Sequence, residues 1–180
     1  VRLTSGGDEI ILVTHEGMSL RFHEDDTRPL GRGTAGVMGI RPSEGDFVIG
    51  LALVTEGSTL LVASENGIGK RTTFEDYRKQ SRGGKGIITM KVTDKTGPVV
   101  GAVTVTEEDE LMLMTSSGQS IRIRVAEVRE TGRNAQGVKL LTLKTTEKLQ
   151  DISIVIPDGD DSTGETSDGE SESTSEEAAD

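Results

Sequence analysis

The chain has no cysteine, and its only aromatic residues are one tyrosine and three phenylalanines. Without thiolates it can form neither disulfides nor cysteine-ligated metal sites. No apolar run approaches the length that spans a membrane, and the first residues lack a signal-peptide pattern. Proteins that bind single-stranded nucleic acid stack bases on aromatic side chains, so a chain this poor in them is poorly suited to that function.

Basic residues are missing from the C-terminal end of the chain. The residues after Pro157 hold 10 of the 31 acidic residues and no Lys or Arg, which leaves 20 basic and 21 acidic residues in 1–157. A segment of one charge sign without branched aliphatic residues cannot offset its ordering entropy, so 158–180 is predicted to be a disordered acidic tail. Two roles stay open: a solubilising tail, or an intramolecular polyanion that competes with DNA.

What is present is a repeat of about 50 residues. Gly17, Gly67 and Gly118 lie 50 and 51 residues apart, and nine of the 12 arginines recur at fixed distances from them. A first column stands four residues after each glycine, a middle column eleven and a loop column fifteen: Arg21, Arg71 and Arg122; Arg28, Arg78 and Arg129; Arg32, Arg82 and Arg133. Such a period indicates stacked copies of one supersecondary unit, which would align the arginines into a cationic stripe.

Each copy predicts four short strands. Apolar runs give the first strand, a glycine turn follows, and an alternating strand and two further strands complete the unit. The predicted strands are 9–14, 58–63 and 110–115; 19–22, 69–72 and 120–124; third strands starting at Val37, Ile87 and Val138; and 48–54, 99–105 and 152–156. Four strands per repeat predict an all-β propeller over 1–157, with blades near 8–57, 58–108 and 109–157.

The arginine columns belong to a longer string, Arg-x-x-x-x-[Asp/Glu]-x-Arg-x-x-x-Arg-x-x-x-Gly-[Val/Ile], which occurs at Arg21–Val37, Arg71–Ile87 and Arg122–Val138. In this string the chain resembles the C-terminal domain of the DNA gyrase A protein. The resemblance implies a β-pinwheel whose blades exchange a strand and whose basic rim wraps double-stranded DNA. It further implies a non-catalytic module without a cofactor, located in the cytoplasm, whose partners are the rest of the gyrase A protein and the gyrase B protein.

The chain departs from that family in two respects. It holds three repeats where the family domain has six, and Gln80–Gly86 matches the family's DNA-wrapping box only in part, with Ser81 and Lys85 in place of two arginines. We interpret Gln80–Gly86 as an ordinary inter-blade loop. The start at Val1 is typical of the interior of a longer protein. The C-terminal domain of the topoisomerase IV A protein, which binds DNA but wraps it poorly, is the alternative within the family.

Candidate DNA-binding residues follow from the columns. Glycine-rich loops allow close approach of another surface, so Arg32, Arg82, Lys85 and Arg133 are favoured for phosphate contact. Arg21, Arg71 and Arg122 rank next. Arg28, Arg78 and Arg129 have two open interpretations, because an acid two residues earlier shares a strand face with each. They contact DNA or they form pairs with Asp26, Asp76 and Glu127 inside a blade.

Other chemistry is disfavoured. Arg82–Gly86 lacks the Gly-Lys-Ser/Thr ending of a phosphate-binding P-loop, and no helical pattern follows it. His15 and His23 have no matching carboxylate cluster, so a surface role is expected rather than a metal site. Tyr77 is expected to pack or to lie on the rim rather than to cleave DNA. A propeller-type protein-interaction scaffold remains the alternative from a different functional class.

Overall fold

Three small antiparallel sheets make up the fold of the computed structural model, which describes residues 1–156; the tail predicted over 158–180 lies outside the described residues. The strands are β1 Glu9–Thr14, β2 Met18–His23, β3 Val48–Leu53, β4 Thr59–Ser64, β5 Ile68–Thr73, β6 Ile87–Ile88, β7 Val99–Val105, β8 Glu110–Thr115, β9 Ser120–Arg124, β10 Val138–Lys139 and β11 Leu149–Ile154. One 3₁₀ turn follows the second strand of each repeat, at Glu24–Asp26, Phe74–Asp76 and Val125–Glu127. The predicted all-β propeller architecture is confirmed.

The sheets exchange strands between repeats. Their orders are β3-β1-β2-β6, β7-β4-β5-β10 and β11-β8-β9. The outermost strand of the first sheet, β6, thus comes from repeat 2, and the outermost strand of the second sheet, β10, comes from repeat 3. β6 pairs Ile87 with Ser19, and β10 pairs Val138 with Gly69. Each exchanged strand is only two residues long, so it ties neighbouring repeats together without building a sheet of its own.

Two predicted strands need correction. No strand forms at Val37, because its equivalents in β6 and β10 pair with the preceding repeat and the described residues contain no repeat before the first. The last strand begins at Leu149, three residues before the predicted Ile152. A register shift between Leu149 and Asp151 moves Gln150 out of the pairing with β8, and this bulge conceals the strand's first residue from a pattern search.

Two of the three hydrophobic clusters lie between successive sheets, and the third lies within repeat 1. Repeats 1 and 2 bury Ile11, Val13, Leu60, Val62 and Tyr77 against each other, and repeats 2 and 3 share a second cluster. All six residues of β4 are buried, as its continuous apolar run predicts for a strand covered on both faces. The innermost strands β3, β7 and β11 pack side by side. The opposite edge of each sheet therefore faces outward, and the arginine columns must be judged against that edge.

Candidate nucleic-acid interface

The outer edges of the first two sheets are each covered by a stretch of the next repeat. Lys79 forms a parallel bridge with Arg21 of β2, and Glu130 forms the equivalent bridge with Arg71 of β5. The chain then continues through the glycine-rich loop into β6 or β10 on the same edge. We call 78–88 and 129–139, together with the equivalent stretch 28–38, the outer-edge segments. Each begins with a middle-column arginine and carries a loop-column arginine at its fifth position.

Arg21, from the first column, points into the contact between repeats 1 and 2. Its guanidinium donates to the backbone carbonyls of Phe74 at 2.5 Å and Tyr77 at 3.2 Å, and it also pairs with Glu9. Glu9 forms a second ion pair with Lys79 of repeat 2. Burial acts to raise the pKa of Glu9, but hydrogen bonds and charges from Lys79 and Arg21 outweigh it, and the pKa lies below its ordinary value. Arg21 therefore fixes the 3₁₀ turn of the next repeat.

Arg71 occupies the same place between repeats 2 and 3, and it is only 4% exposed. Its Nε donates to the Val128 carbonyl at 2.6 Å and its terminal nitrogen pairs with Glu107 at 3.1 Å. Guanidinium groups held in this way cannot reach a phosphate without breaking the contact between repeats. Arg21 and Arg71 therefore connect one repeat to the next in this structure, and their contact with DNA stays a prediction.

Arg122 is the third member of this column, and the described residues place no further repeat against it. Its side chain is 56% exposed and pairs only with Glu110 of the neighbouring strand. Arg71 and Arg122 thus share a sequence position but differ in surroundings, which allows one to serve as the control for the other.

We expect Arg71→Met to lower the free energy of unfolding by about 2 to 3 kcal/mol, because it leaves the buried Val128 carbonyl without a donor. Arg122→Met removes an exposed ion pair and should cost less than about 1 kcal/mol. Chemical denaturation of the two variants measures the difference. Equal losses would contradict the role assigned to Arg71.

The middle column is exposed and unpaired. Arg28, Arg78 and Arg129 are all exposed, and none forms an ion pair or side-chain hydrogen bond with any residue of 1–156. The interpretation that they pair with Asp26, Asp76 and Glu127 is therefore wrong. The Asp76 carboxylate accepts a hydrogen bond from the backbone N–H of Arg133, Glu127 pairs with Arg124 at 2.9 Å, and Asp26 forms no ion pair within 1–156. Each acid is the last residue of a 3₁₀ turn rather than part of a strand, so the acid and the arginine do not share a strand face.

The loop column reaches back to the preceding repeat. Arg82 donates to the carbonyls of Asp26 at 2.6 Å and Met38 at 3.2 Å. Arg133 repeats the arrangement: its backbone N–H donates to Asp76 at 2.9 Å and its guanidinium to the Ile88 carbonyl at 2.6 Å. Both side chains remain partly exposed, so these arginines can hold the loop and still present charge to the outside.

The other two loop cations are open to solvent. Arg32 and Lys85 are exposed, and neither has a side-chain partner among residues 1–156. Arg32 lies in the first repeat, whose outer-edge segment has no preceding repeat in the described chain. The loop predictions thus divide into two anchored arginines, Arg82 and Arg133, and two free cations.

Lys70 is a functional residue that the sequence did not reveal. It is buried in β5, and its ammonium donates to the carbonyls of Ala135 at 3.0 Å, Gly132 at 3.4 Å and Arg133. Leu20 and Ile121 hold the equivalent positions, so no column marks the lysine. Three converging carbonyls give the loop of repeat 3 a polar support, whereas the loop of repeat 2 rests on Leu20.

Burial, followed by the charge of Arg133, lowers the pKa of Lys70 from 10.5 to about 8. Between these values the unfolded chain binds more protons than the folded one, so stability should rise with pH from 8 upward, by at most about 1.4 kcal/mol per pH unit. A Lys70→Leu variant, which copies the leucine of repeat 1, should lack this rise. Denaturation of both proteins between pH 8 and 9.5 tests this prediction. At higher pH the buried Tyr77, whose pKa is raised, makes the free energy of unfolding fall with pH instead. Parallel curves for the two proteins would contradict the assignment.

The remaining candidates are Tyr77 and the two histidines. Tyr77 is buried in the core between repeats 1 and 2, and its hydroxyl lies 2.6 Å from that of Thr89. His15 stacks on Phe47 with ring centroids 4.6 Å apart, and His23 accepts a hydrogen bond from the backbone of Asp25. Within 1–156 no three His, Asp or Glu side chains are grouped to hold a metal ion, and no helix is long and apolar enough to cross a membrane.

The outer edge therefore concentrates unpaired positive charge. Exposed, unpaired arginines recur at intervals of about 50 residues on the three outer-edge segments, two of which cover a sheet of 1–156. Lys85 adds an exposed charge to the second segment, and the partly engaged Arg82 and Arg133 lie on the second and third. Backbone amides of glycine-rich loops and guanidinium groups both match phosphate oxygens. A surface of this kind can contact a polyanion at regular intervals along its length without reading its sequence.

Comparison with known proteins gives consistent matches. The sequence profile described as "DNA gyrase C-terminal domain, beta-propeller" matches residues 8–55, 58–106 and 109–156. A DNA gyrase A protein from Staphylococcus aureus is 45% identical over 167 residues, 92% of this chain and 19% of that protein. The chain thus spans less than a fifth of the length of the curated gyrase A proteins it matches.

Solved structures agree in fold. A DNA gyrase A C-terminal domain matches with a TM-score of 0.79 and 32% identity, over 85% of this chain and 52% of that one. The C-terminal domain of a DNA topoisomerase IV matches with a TM-score of 0.80 and 26% identity, over 86% of this chain and 48% of that one. The three repeats therefore correspond to about half of each solved domain.

Proposed function

Because this chain belongs to the DNA gyrase C-terminal domain family, we propose that its repeats bind duplex DNA along their outer edge and bend it around that edge. The observation that carries the proposal is the middle column: Arg28, Arg78 and Arg129 are exposed, lack partners within 1–156 and recur once per repeat on the outer-edge segments. Arg32 and Lys85 add free charge, and Arg82 and Arg133 contribute partly. Affinity then arises from counterion release and is independent of sequence.

The proposed role is non-catalytic. The module wraps one DNA segment in a fixed hand and presents it to the strand-passage machinery of a type IIA topoisomerase, supporting ATP-dependent negative supercoiling. Its proposed partners are double-stranded DNA, the remainder of the gyrase A protein and the gyrase B protein, in the cytoplasm with the nucleoid. Rigid contacts between repeats support such a role, because Arg21 and Arg71 fix how each repeat sits on the next. A fixed succession of repeats gives the bound duplex a defined curvature.

The experiment is topological. A nicked circular duplex is incubated with the protein at low salt, sealed with DNA ligase, freed of protein and resolved by gel electrophoresis. Wrapping in one hand shifts the linking number in one direction, in proportion to the protein bound. The expected result is such a shift, which disappears as salt is raised and the counterion term weakens.

Two other outcomes would replace the proposal. Duplex retention without any linking-number shift would favour the topoisomerase IV type of domain, to which the fold is equally similar. Absence of duplex retention at low salt would favour a protein-interaction scaffold, because weakly screened, unpaired arginines attract any accessible polyanion. The same samples, run with linear duplex, separate the two.

A further inference from the structure

The outer-edge segments end in an exposed apolar residue in two of the three repeats. Met38 is 53% exposed and Ile88 is 49% exposed, and each stands ten residues after a free arginine, Arg28 or Arg78. The third repeat carries Lys139 at this position, also exposed. Single exposed apolar residues are common on protein surfaces. A recurrence at the same structural position, within a cationic edge, calls for a physical explanation.

Ile88 points outward because of the strand it lies on, whereas Met38 is exposed in the irregular stretch of repeat 1, outside the strands of 1–156. In β6 the neighbouring Ile87 packs against the core between repeats 1 and 2, and alternation along the strand turns Ile88 to the opposite side. β6 is the outermost strand of its sheet, so no further strand of 1–156 pairs with its outer side, where the guanidinium of Arg133 reaches the Ile88 carbonyl. Ile88 therefore stands at the rim itself.

Their backbones are held in place. The guanidinium of Arg82 donates to the carbonyl of Met38, and that of Arg133 donates to the carbonyl of Ile88 at 2.6 Å. Each apolar side chain is thus fixed next to a loop-column arginine from the following repeat and on the same segment as a middle-column arginine. An apolar side chain fixed next to an arginine is prepositioned against whatever that arginine binds.

We propose that Met38 and Ile88 are wedges that enter the minor groove and partly unstack a base step where DNA crosses each outer-edge segment. The proposal rests on the proposed function. Proteins that bend DNA from the minor groove insert apolar side chains of this size between base steps and kink the duplex by about 20–90°. Flanking arginines supply the phosphate contacts that offset the cost of unstacking. The wedges convert a smooth electrostatic surface into one that bends DNA at defined intervals.

The chain provides its own control substitution. Because Lys139 occupies the equivalent position in repeat 3, a lysine is compatible with the fold there, and the double variant Met38→Lys with Ile88→Lys should remain folded. It adds two positive charges to the edge. If electrostatics alone determines the interaction, the double variant should bind DNA more tightly and bend it as the wild type does. If the two side chains act as wedges, the variant should still bind DNA but should fail to bend it.

Two assays on the full chain test the proposal. The first uses short duplexes with 2-aminopurine at successive positions, because the fluorescence of this base rises when it unstacks. The second measures how efficiently DNA ligase circularises a duplex that the protein bends. At equal DNA occupancy, the wild type should raise fluorescence at some positions, and the double lysine variant should not. Circularisation efficiency should fall on the order of tenfold in the variant, as expected when a kink that relieves bending energy is lost. Val48→Lys, at an exposed apolar residue of the innermost strand β3, should leave both signals unchanged.

Three results would overturn the proposal. If wild-type protein at saturation binds every duplex without a rise in fluorescence, the proposed DNA binding is supported and the proposed wedge is excluded. If the double lysine variant matches the wild type in both signals, the two side chains do not act on the bases. If neither protein retains duplex at low salt, the proposed function itself fails, and the wedge with it.

Discussion

Replacing Arg28, Arg78 and Arg129 together with glutamine is expected to weaken duplex binding on the order of a thousandfold at about 50 mM salt. These three side chains are exposed, unpaired within 1–156 and repeated on the outer edge, so each is free to neutralise one phosphate. Each lost contact removes about 0.9 from the slope of log K against log salt, and the triple variant should flatten that slope by about 2.7. Fluorescence anisotropy across a salt series measures both quantities.

A charge-matched control separates this effect from net charge. Lys91, Lys95 and Lys144 are exposed on the loops that precede the innermost strands, away from the outer-edge segments. Their replacement by glutamine removes the same charge but should leave the slope nearly unchanged. Arg→Lys replacement of the middle column should keep the slope as well, because counterion release counts charges rather than guanidinium geometry. Equal loss of slope in both glutamine variants would refute a localised DNA-contacting edge.

The periodicity of the arginines predicted the repeat architecture, but it did not predict which columns are exposed and which lie between repeats. Arg21 and Arg71 have the same type and spacing as Arg28 and Arg78, yet the first pair is directed into the contact between repeats and the second to solvent. The difference depends on which side of β2 or β5 the next repeat covers, and that is a property of three-dimensional stacking. A repeat pattern places residues in register, while their exposure is decided by the neighbouring copy.

Strand exchange limited the prediction in the same way. The four strands of a repeat were recognisable from turns and apolar runs, but the third strand pairs with the previous repeat. The sequence of one repeat contains no sign of that partner, and the exchange was implied by the family resemblance alone. Val37 forms no strand because the described residues contain no preceding repeat for it to pair with, and Lys70 is buried because the loop of the next repeat covers it. Local sequence propensity was therefore enough to predict the strands, whereas the exposure of the candidate site residues depends on contacts between repeats.

The contact between repeats can be tested at a single atom. Gly86 has a φ of +78°, and a Cβ on it would lie 2.2 Å from the Ser19 carbonyl oxygen of repeat 1. The backbone on both sides is held by the pairing of β6 with β2, so neither can retreat without separating the strands. We expect Gly86→Ala to lower the free energy of unfolding by about 4 kcal/mol, combining left-handed strain with loss of the exchanged strand.

Gly36 is the matched control, because it has the same φ of +78° but nothing within 4 Å of its Cβ position. Gly36→Ala carries only the left-handed strain of a non-glycine residue, about 1 to 2 kcal/mol. Denaturation of both variants gives the difference, and amide exchange at Ile87 should show the contact opening only in Gly86→Ala. Since that variant keeps every charge, it should also lose directional linking-number shift while retaining duplex at low salt. Retained shift in a variant with an opened contact would mean that curvature does not depend on the fixed succession of repeats.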